Sequence, residues 1–214
     1  MKKVVVKEAL VISRVCKANS VSSASGALAT KQSTTLAVVG PMASGKNYIC
    51  SQLEQEGYIS IDADILVHDA INIAQERILD TFTPYAKKKN IKIARHDGTI
   101  DRQALGKLLF SIPELLTIQE SIVYPIIIKQ IQDFIQAHEK TIINATVLYK
   151  TPELLHLCDK VYYVTAPFFK RLARARRRDK LPLTQILKRF NAQRNLLKEY
   201  QKMVPAEKII IVKN

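Results

Sequence analysis

Acidic side chains are scarce in this 214-residue chain: 19 Asp and Glu stand against 33 Lys and Arg, a formal net charge of +14. That imbalance favours an anionic partner, whether nucleic acid, a membrane surface or a polyphosphate ligand. Long apolar runs are missing, and none reaches the roughly 18 residues that a spanning helix needs. The three cysteines, Cys16, Cys50 and Cys158, are scattered and lack C-x-x-C spacing, which argues against a zinc site and for a reducing cytoplasm. His68, His96, His138 and His156 show no close metal-ligand spacing either. Aromatic and basic residues do not alternate as a single-strand stacking platform requires.

What the chain does contain is ordinary for a globular protein: 47% hydrophobic and 24% charged residues, enough to build a core and too balanced for wholesale disorder. Residues 1–35 differ. An apolar-basic start, MKKVVVKEALVISRVC, runs into a Ser-, Thr-, Ala- and Gly-rich stretch. Lys7, Glu8 and Arg14 interrupt the continuous apolar core of a secretory signal, so an extension or flexible tail is expected there.

From Leu36 onward, short β-branched runs alternate with longer helical segments, the pattern of an α/β domain with a largely parallel sheet. Strands are expected at 36–40, 58–62, 141–145, 160–166 and 208–214. Residues 65–138 read as mostly helical, 151–157 as a short helix, and 167–178 and 182–202 as longer ones. Pro182 is expected in the first turn of the last helix.

The first strand runs into GPMASGKN, a glycine followed after four residues by Gly45 and Lys46. In a loop of this pattern between strand and helix, backbone N–H groups around Ala43, Ser44, Gly45 and Lys46 converge on phosphate oxygens, aided by the helix dipole. Lys46 then reaches the β and γ phosphates, and Asn47 and Tyr48 continue the nucleotide site into the helix. A Ser or Thr hydroxyl is expected after the lysine to hold Mg²⁺; Asn47 offers a longer amide oxygen. Three consequences are open: a shifted metal, coordination through water, or weakened catalysis.

The second strand delivers Asp62 and Asp64, with His68 one helical turn on. Carboxylates at that edge of an α/β sheet sit where ligands bind, and one of them is suited to accept the proton of an attacking hydroxyl. The structural alternative for either is a helix N-cap. Farther on, Lys170, Arg171, Arg174, Arg176, Arg177, Arg178 and Lys180 are opposed only by Asp179. This run is either a solvated helix face or a cationic element neutralised by an anion.

Taken in order, GPMASGKN, IDADILVH at 61–68, DGTIDRQALGKLLFSIPE at 97–114, LCDKVYYVTAP at 157–167, RRRD and FNAQ at 190–193 resemble the dephospho-CoA kinases. The likeness spans nearly all of residues 36–200. It implies a P-loop NTPase-type three-layer fold with a five-stranded, largely parallel sheet. Core segments at about 36–64 and 139–214 would carry a helical substrate-binding insertion at about 65–138 and a basic lid at about 170–190. It further implies that ATP, with Mg²⁺, phosphorylates the ribose 3′-hydroxyl of dephospho-CoA, with Lys46, Asp64 as general base and Arg178 as catalytic groups. Asp62, His68, Tyr124 and Arg174 would contact substrate, and Asn47 the metal. Both substrates are polyanions, so the positive charge is expected to serve them, with no nucleic acid or membrane partner, in a monomer or weak homo-oligomer.

Four stretches depart from the family pattern. Asn47 replaces a serine, Tyr124-Pro125 stands where His-Pro is common, Thr146 to Lys150 (TVLYK) replaces Pro-Leu-Leu-Phe-Glu, and IVKN at 211–214 is what remains of a C-terminal Asp-Asn-Gly region. Two further readings follow from the departures and the charge: a nucleotide-binding protein that has lost transfer, and a basic nucleic-acid-binding module.

Overall fold

The computed structural model describes residues 33–179 and 181–214. Most of the expected extension, residues 1–32, and Lys180 of the basic run lie outside the described residues.

Strand β1 (Thr34–Val39) is almost wholly buried and forms the centre of a five-stranded sheet. On one side it pairs in parallel with β3 (Lys140–Ala145), which pairs in parallel with β2 (Ile59–Asp62). On the other it pairs in parallel with β4 (Lys160–Thr165), and β5 (Ile209–Lys213) lies beyond β4. The order β2-β3-β1-β4-β5 reverses direction at β1. A crevice therefore opens at the carboxyl end of β1, where successive connections leave to opposite sides. The runs LAVV, TIINA and VYYV are apolar and β-branched because strands covered on both faces have no solvent side to make polar.

β1 begins at Thr34, two residues earlier than its apolar pattern suggests. The Thr35 amide donates to Asp159 Oδ2 at 2.8 Å, and Thr141 Oγ1 donates to Thr35 Oγ1 at 2.9 Å. Polar side chains thus continue the ladder by satisfying one another. After β1 comes helix α1 (Lys46–Glu54), then β2, then α2 (Ala63–Ile73), α3 (Gln75–Lys88), α4 (Arg102–Ser111) and α5 (Pro113–Ala137). The expected helical character of 65–138 holds, broken by one antiparallel bridge between Ala94 and Ile100. Asp62 caps α2 and Asp101 caps α4, each accepting two first-turn amides. Ile78, Phe82, Leu105, Leu108 and Ile131 from these helices are fully or almost fully buried in the core that also covers β1 and β3. Burial of each such side chain contributes on the order of 1.5–3 kcal/mol.

A short 3₁₀ turn (Leu148–Lys150) and α6 (Pro152–His156) join β3 to β4, and α7 (Phe168–Asp179) follows. The single long helix expected over 182–202 is instead two: α8 (Leu183–Ala192) and α9 (Leu196–Met203), with Pro182 in the N-cap position. At the break, Gln193 Oε1 accepts a hydrogen bond from the Met42 amide at 2.7 Å. Gln193 thereby ties the turn to the loop after β1. Met42, Ala175, Ile186 and Phe190 form a second small core beneath α7.

Tyr200 on α9 is completely buried. Its hydroxyl accepts from the Leu148 amide at 2.9 Å and donates to the Thr146 carbonyl at 3.1 Å, pinning the segment that leaves β3. Tyr200→Phe strands both partners. It is expected to destabilise the protein by about 1–3 kcal/mol, read as a lower denaturant midpoint with an unchanged slope.

Candidate active site

The loop leaving β1 is fixed by close approach. Gly40 has φ 149°, and a Cβ there would lie 2.2 Å from the Val164 carbonyl oxygen of β4, so only glycine lets the chain turn at this point. Gly45, at φ 101° and ψ 31°, ends the loop in left-handed geometry, and α1 starts at Lys46. The first-turn amides of α1 and the positive end of its dipole therefore face the crevice mouth. A cavity of about 530 Å³ lies against it, lined by Ala43, Gly45, Lys46, Asn47, Arg174, Arg177 and Arg178. Four of those side chains are cations and none is a carboxylate, which suits a polyanionic ligand.

Ser44 is fully buried and its hydroxyl has no partner among the described residues. Lys46 Nζ donates to the Gly40 carbonyl at 3.2 Å and to Thr146 Oγ1 at 3.1 Å. Burial pulls the Lys46 ammonium below the ordinary lysine range, while Asp64 and, more weakly, Asp62 oppose that pull.

The two carboxylates divide the alternatives left open by the sequence. Asp62 is the helix cap: Oδ1 accepts from the amides of Asp64 at 2.9 Å and Ile65 at 3.3 Å. Asp64 lies in the first turn and is exposed, and its Oδ2 accepts from Thr146 Oγ1 at 3.0 Å. Asn144, from β3, links the cap to the loop helix, since Nδ2 donates both to Asp62 Oδ2 and to Asn47 Oδ1, each at 3.1 Å. Asn144 Oδ1 is buried with no partner among the described residues.

The basic helix α7 is divided by role. Arg174 donates from Nη1 to the carbonyls of Ser44 at 3.1 Å and Ala43 at 3.4 Å, and from Nη2 to Asn214 Oδ1 at 3.2 Å. Asn214 Nδ2 in turn donates to the Ser44 carbonyl at 3.1 Å. Arg174, expected to meet substrate, thus also holds the loop through its backbone. Arg171 Nε donates to the Met42 carbonyl at 2.9 Å with its guanidinium 4.2 Å from the Phe190 ring centre. Arg178 and Arg177 line the cavity, and Arg178 is paired with Asp179, whose hydrogen bonds push the guanidinium higher still.

Other expected contacts are placed elsewhere. Tyr48 is half exposed on α1 and does not line the cavity. His68 is exposed on α2 and lines neither that cavity nor the cleft beside Asp64. Tyr124 does line this second cleft, a space of about 70 Å³ shared with Ala63, Val67, Val147 and Leu148. Burial, and then a hydrogen-bonded Glu120 carboxylate, push the Tyr124 phenol up. Glu120 also pairs with Lys150, so two departures from the family pattern meet on one acid. Sequence reasoning missed Asn144, Asn214 and Gln193. Gln193 lies in the FNAQ motif, and Asn144 and Asn214 lie in or at the end of expected strands, but nothing local marks these side chains as site residues, because their partners are distant in the chain.

Comparison with known proteins agrees with this geometry. The family model described as dephospho-CoA kinase (CoaE) matches residues 34–214. Among curated relatives, the dephospho-CoA kinase of Treponema denticola is 36% identical over 167 residues, covering 75% of this chain and 74% of that protein. The Treponema pallidum enzyme of the same name is 32% identical over 164 residues, covering 74% and 77%. The crystal structure of TT1252 from Thermus thermophilus superposes with a TM-score of 0.67 over 86% of this chain and 89% of that one; at 24% identity this speaks for the fold. The chain belongs to the dephospho-CoA kinase family.

Proposed function

We propose that Lys46, Asp64 and Arg178 carry the reaction of this kinase, transfer of a phosphoryl group from ATP to the ribose 3′-hydroxyl of dephospho-CoA, the last step of coenzyme A synthesis. The observation that carries the proposal is the placement of Asp64 two hydrogen bonds from Lys46, beside a cavity lined by cations. Lys46 uses two of its three N–H directions on Gly40 and Thr146, which leaves the third for a phosphate oxygen. Asp64 accepts the proton of the ribose hydroxyl as its oxygen attacks the γ phosphorus. The bond from phosphorus to the bridging oxygen breaks, and its electron pair leaves with ADP. Arg178, with Arg177 and Arg174 nearby, neutralises charge on the transferring group, a task for which the guanidinium fork is well shaped.

Mg²⁺ is the metal expected with ATP. Asn47 Oδ1 and Asp62 Oδ2 both accept from Asn144 Nδ2, and the buried Asn144 Oδ1, with no partner among the described residues, is the kind of hard donor that Mg²⁺ takes. Asn47 and Asp62 would hold the ion, which when bound neutralises phosphate charge. Among the described residues no cluster of three or more His, Cys, Asp or Glu groups forms a cage, so phosphate oxygens and water would complete its shell.

The helical segment 65–138 we read as the acceptor domain and residues 170–190 as the lid, in a monomer or weak homo-oligomer. No helix among the described residues is long and apolar enough to cross a membrane, and Cys50 and Cys158 are free and buried. The free thiols fit the cytoplasmic setting of this reading. The basic residues concentrated at the cavity favour phosphate handling over nucleic-acid binding. The reading as a retired catalyst rests on Asn47, Tyr124 and Lys150; each has a hydrogen-bonded partner here, which favours an accommodated substitution.

With ATP, Mg²⁺ and dephospho-CoA, mass-resolved product analysis should show CoA. Lys46→Ala and Asp64→Asn should each lower turnover by about 10²- to 10⁴-fold. Asp64→Asn should keep the circular dichroism and ATP affinity of the parent; only a few-fold loss in both variants would overturn the assignment. Asn47→Ser, which offers a shorter oxygen ligand, is expected to lower the Mg²⁺ concentration for half-maximal rate severalfold. An unchanged requirement would show that the amide serves equally well.

A further inference from the structure

Thr146 stands at the position where the family pattern has proline, a residue with no side-chain donor. Its hydroxyl lies between the two groups on which transfer depends: 3.1 Å from Lys46 Nζ and 3.0 Å from Asp64 Oδ2. An ammonium only donates and a carboxylate only accepts, so the single hydroxyl proton has one allowed direction. The bridge reads Lys46 N–H to Thr146 oxygen, then Thr146 O–H to Asp64. Both of its bonds are charge-assisted.

We infer that Thr146 is a positioning residue for phosphoryl transfer, its hydroxyl setting the angle and distance of the Asp64 carboxylate relative to the lysine that holds the phosphates. The inference rests on the reading of Lys46 and Asp64 above. Three features support a positioning role. Thr146 is 9% exposed, so water competes poorly for its hydroxyl. Its main chain is anchored, because the Thr146 carbonyl accepts from the buried Tyr200 hydroxyl at 3.1 Å. And Asp64 itself is exposed, on the first turn of α2, so one fixed hydrogen bond restricts a carboxylate that would otherwise sample several rotamers. The bridge occupies one carboxylate oxygen, Oδ2, and leaves Oδ1 to take the ribose hydroxyl proton.

The same segment shows why the chain tolerates the loss of proline. Val147 and Leu148 line the cleft beside Asp64, and Lys150 is held by Glu120 of α5. The Leu148 amide is held by Tyr200. Tertiary hydrogen bonds thus hold a backbone that proline would otherwise stiffen, and position 146 is free to carry a functional side chain.

The test is a set of variants assayed for CoA formation. Thr146→Val keeps the shape and removes the hydroxyl. It should lower kcat by about 10- to 100-fold, the scale set by misalignment of a reacting group, while KM for ATP and for dephospho-CoA stays near the parent value. Thr146→Ser restores the hydroxyl and should restore kcat. In an Asp64→Asn background, Thr146→Val should have little additional effect, because its influence runs through Asp64. Full activity of Thr146→Val, failure of serine to rescue, or an equal loss with and without the Asp64 carboxylate would each overturn the inference. Near-parental activity of Asp64→Asn alone would instead refute the general-base reading. Thermal melting and ATP binding serve as fold controls, and Thr146→Ala carries the same comparisons should valine unfold the protein.

Discussion

A half-buried lysine ammonium at the centre of the sheet's carboxyl edge sets the terms for everything around it. An ion buried without compensation would neutralise or refuse to fold. Lys46 escapes both through the Gly40 carbonyl, the Thr146 hydroxyl and the fields of Asp64 and Asp62. Those partners come from β1, the end of β3 and the start of α2. The compensation for one charge therefore draws on three strand ends that the sheet brings together around the phosphate loop. The loop conformation depends on a second close fit, the approach of Gly40 to the Val164 carbonyl, which ties β4 to the same point.

Around that point the departures from the family pattern are paired rather than isolated. Asn47 is met by Asn144, which also holds the helix-capping Asp62, so the longer side chain is built into a network reaching from α1 to α2. Tyr124 and Lys150 share Glu120. A lysine where the pattern has an acid would be costly facing a second cation; facing Glu120 it closes an ion pair between α5 and the segment after β3. Partly exposed, that pair contributes modestly to stability and more to the relative placement of the two segments.

Positive charge is also organised by packing. Ala175 is fully buried over Met42, which orients α7 so that Arg174, Arg177 and Arg178 border the cavity while Arg171 stacks on Phe190. The same helix thus presents cations to the cavity and fastens the loop beside it. Arg174 does both, donating to two loop carbonyls at the cavity wall.

What the sequence by itself determined was whatever a local pattern specifies. The β-branched runs mark all five strands, with boundaries shifted by a residue or two, and the glycines flanking the loop mark the turn between β1 and α1. The paired aspartates mark the end of β2, and the ordered motifs identify the family. Local pattern failed to show the break in the helix expected over 182–202, at a turn that Gln193 ties to distant Met42, while the helix-cap alternative it left open for the two aspartates falls to Asp62. The tertiary structure alone decided which side chains share the site. Thr146 lies 100 residues from Lys46, Asn144 lies 97 from Asn47, and Asn214 lies 170 from Ser44. Such contacts have no periodicity and no spacing. They exist because the sheet brings the ends of β1, β3 and β5 together at one edge, where hydrogen-bonding groups removed from water must find each other.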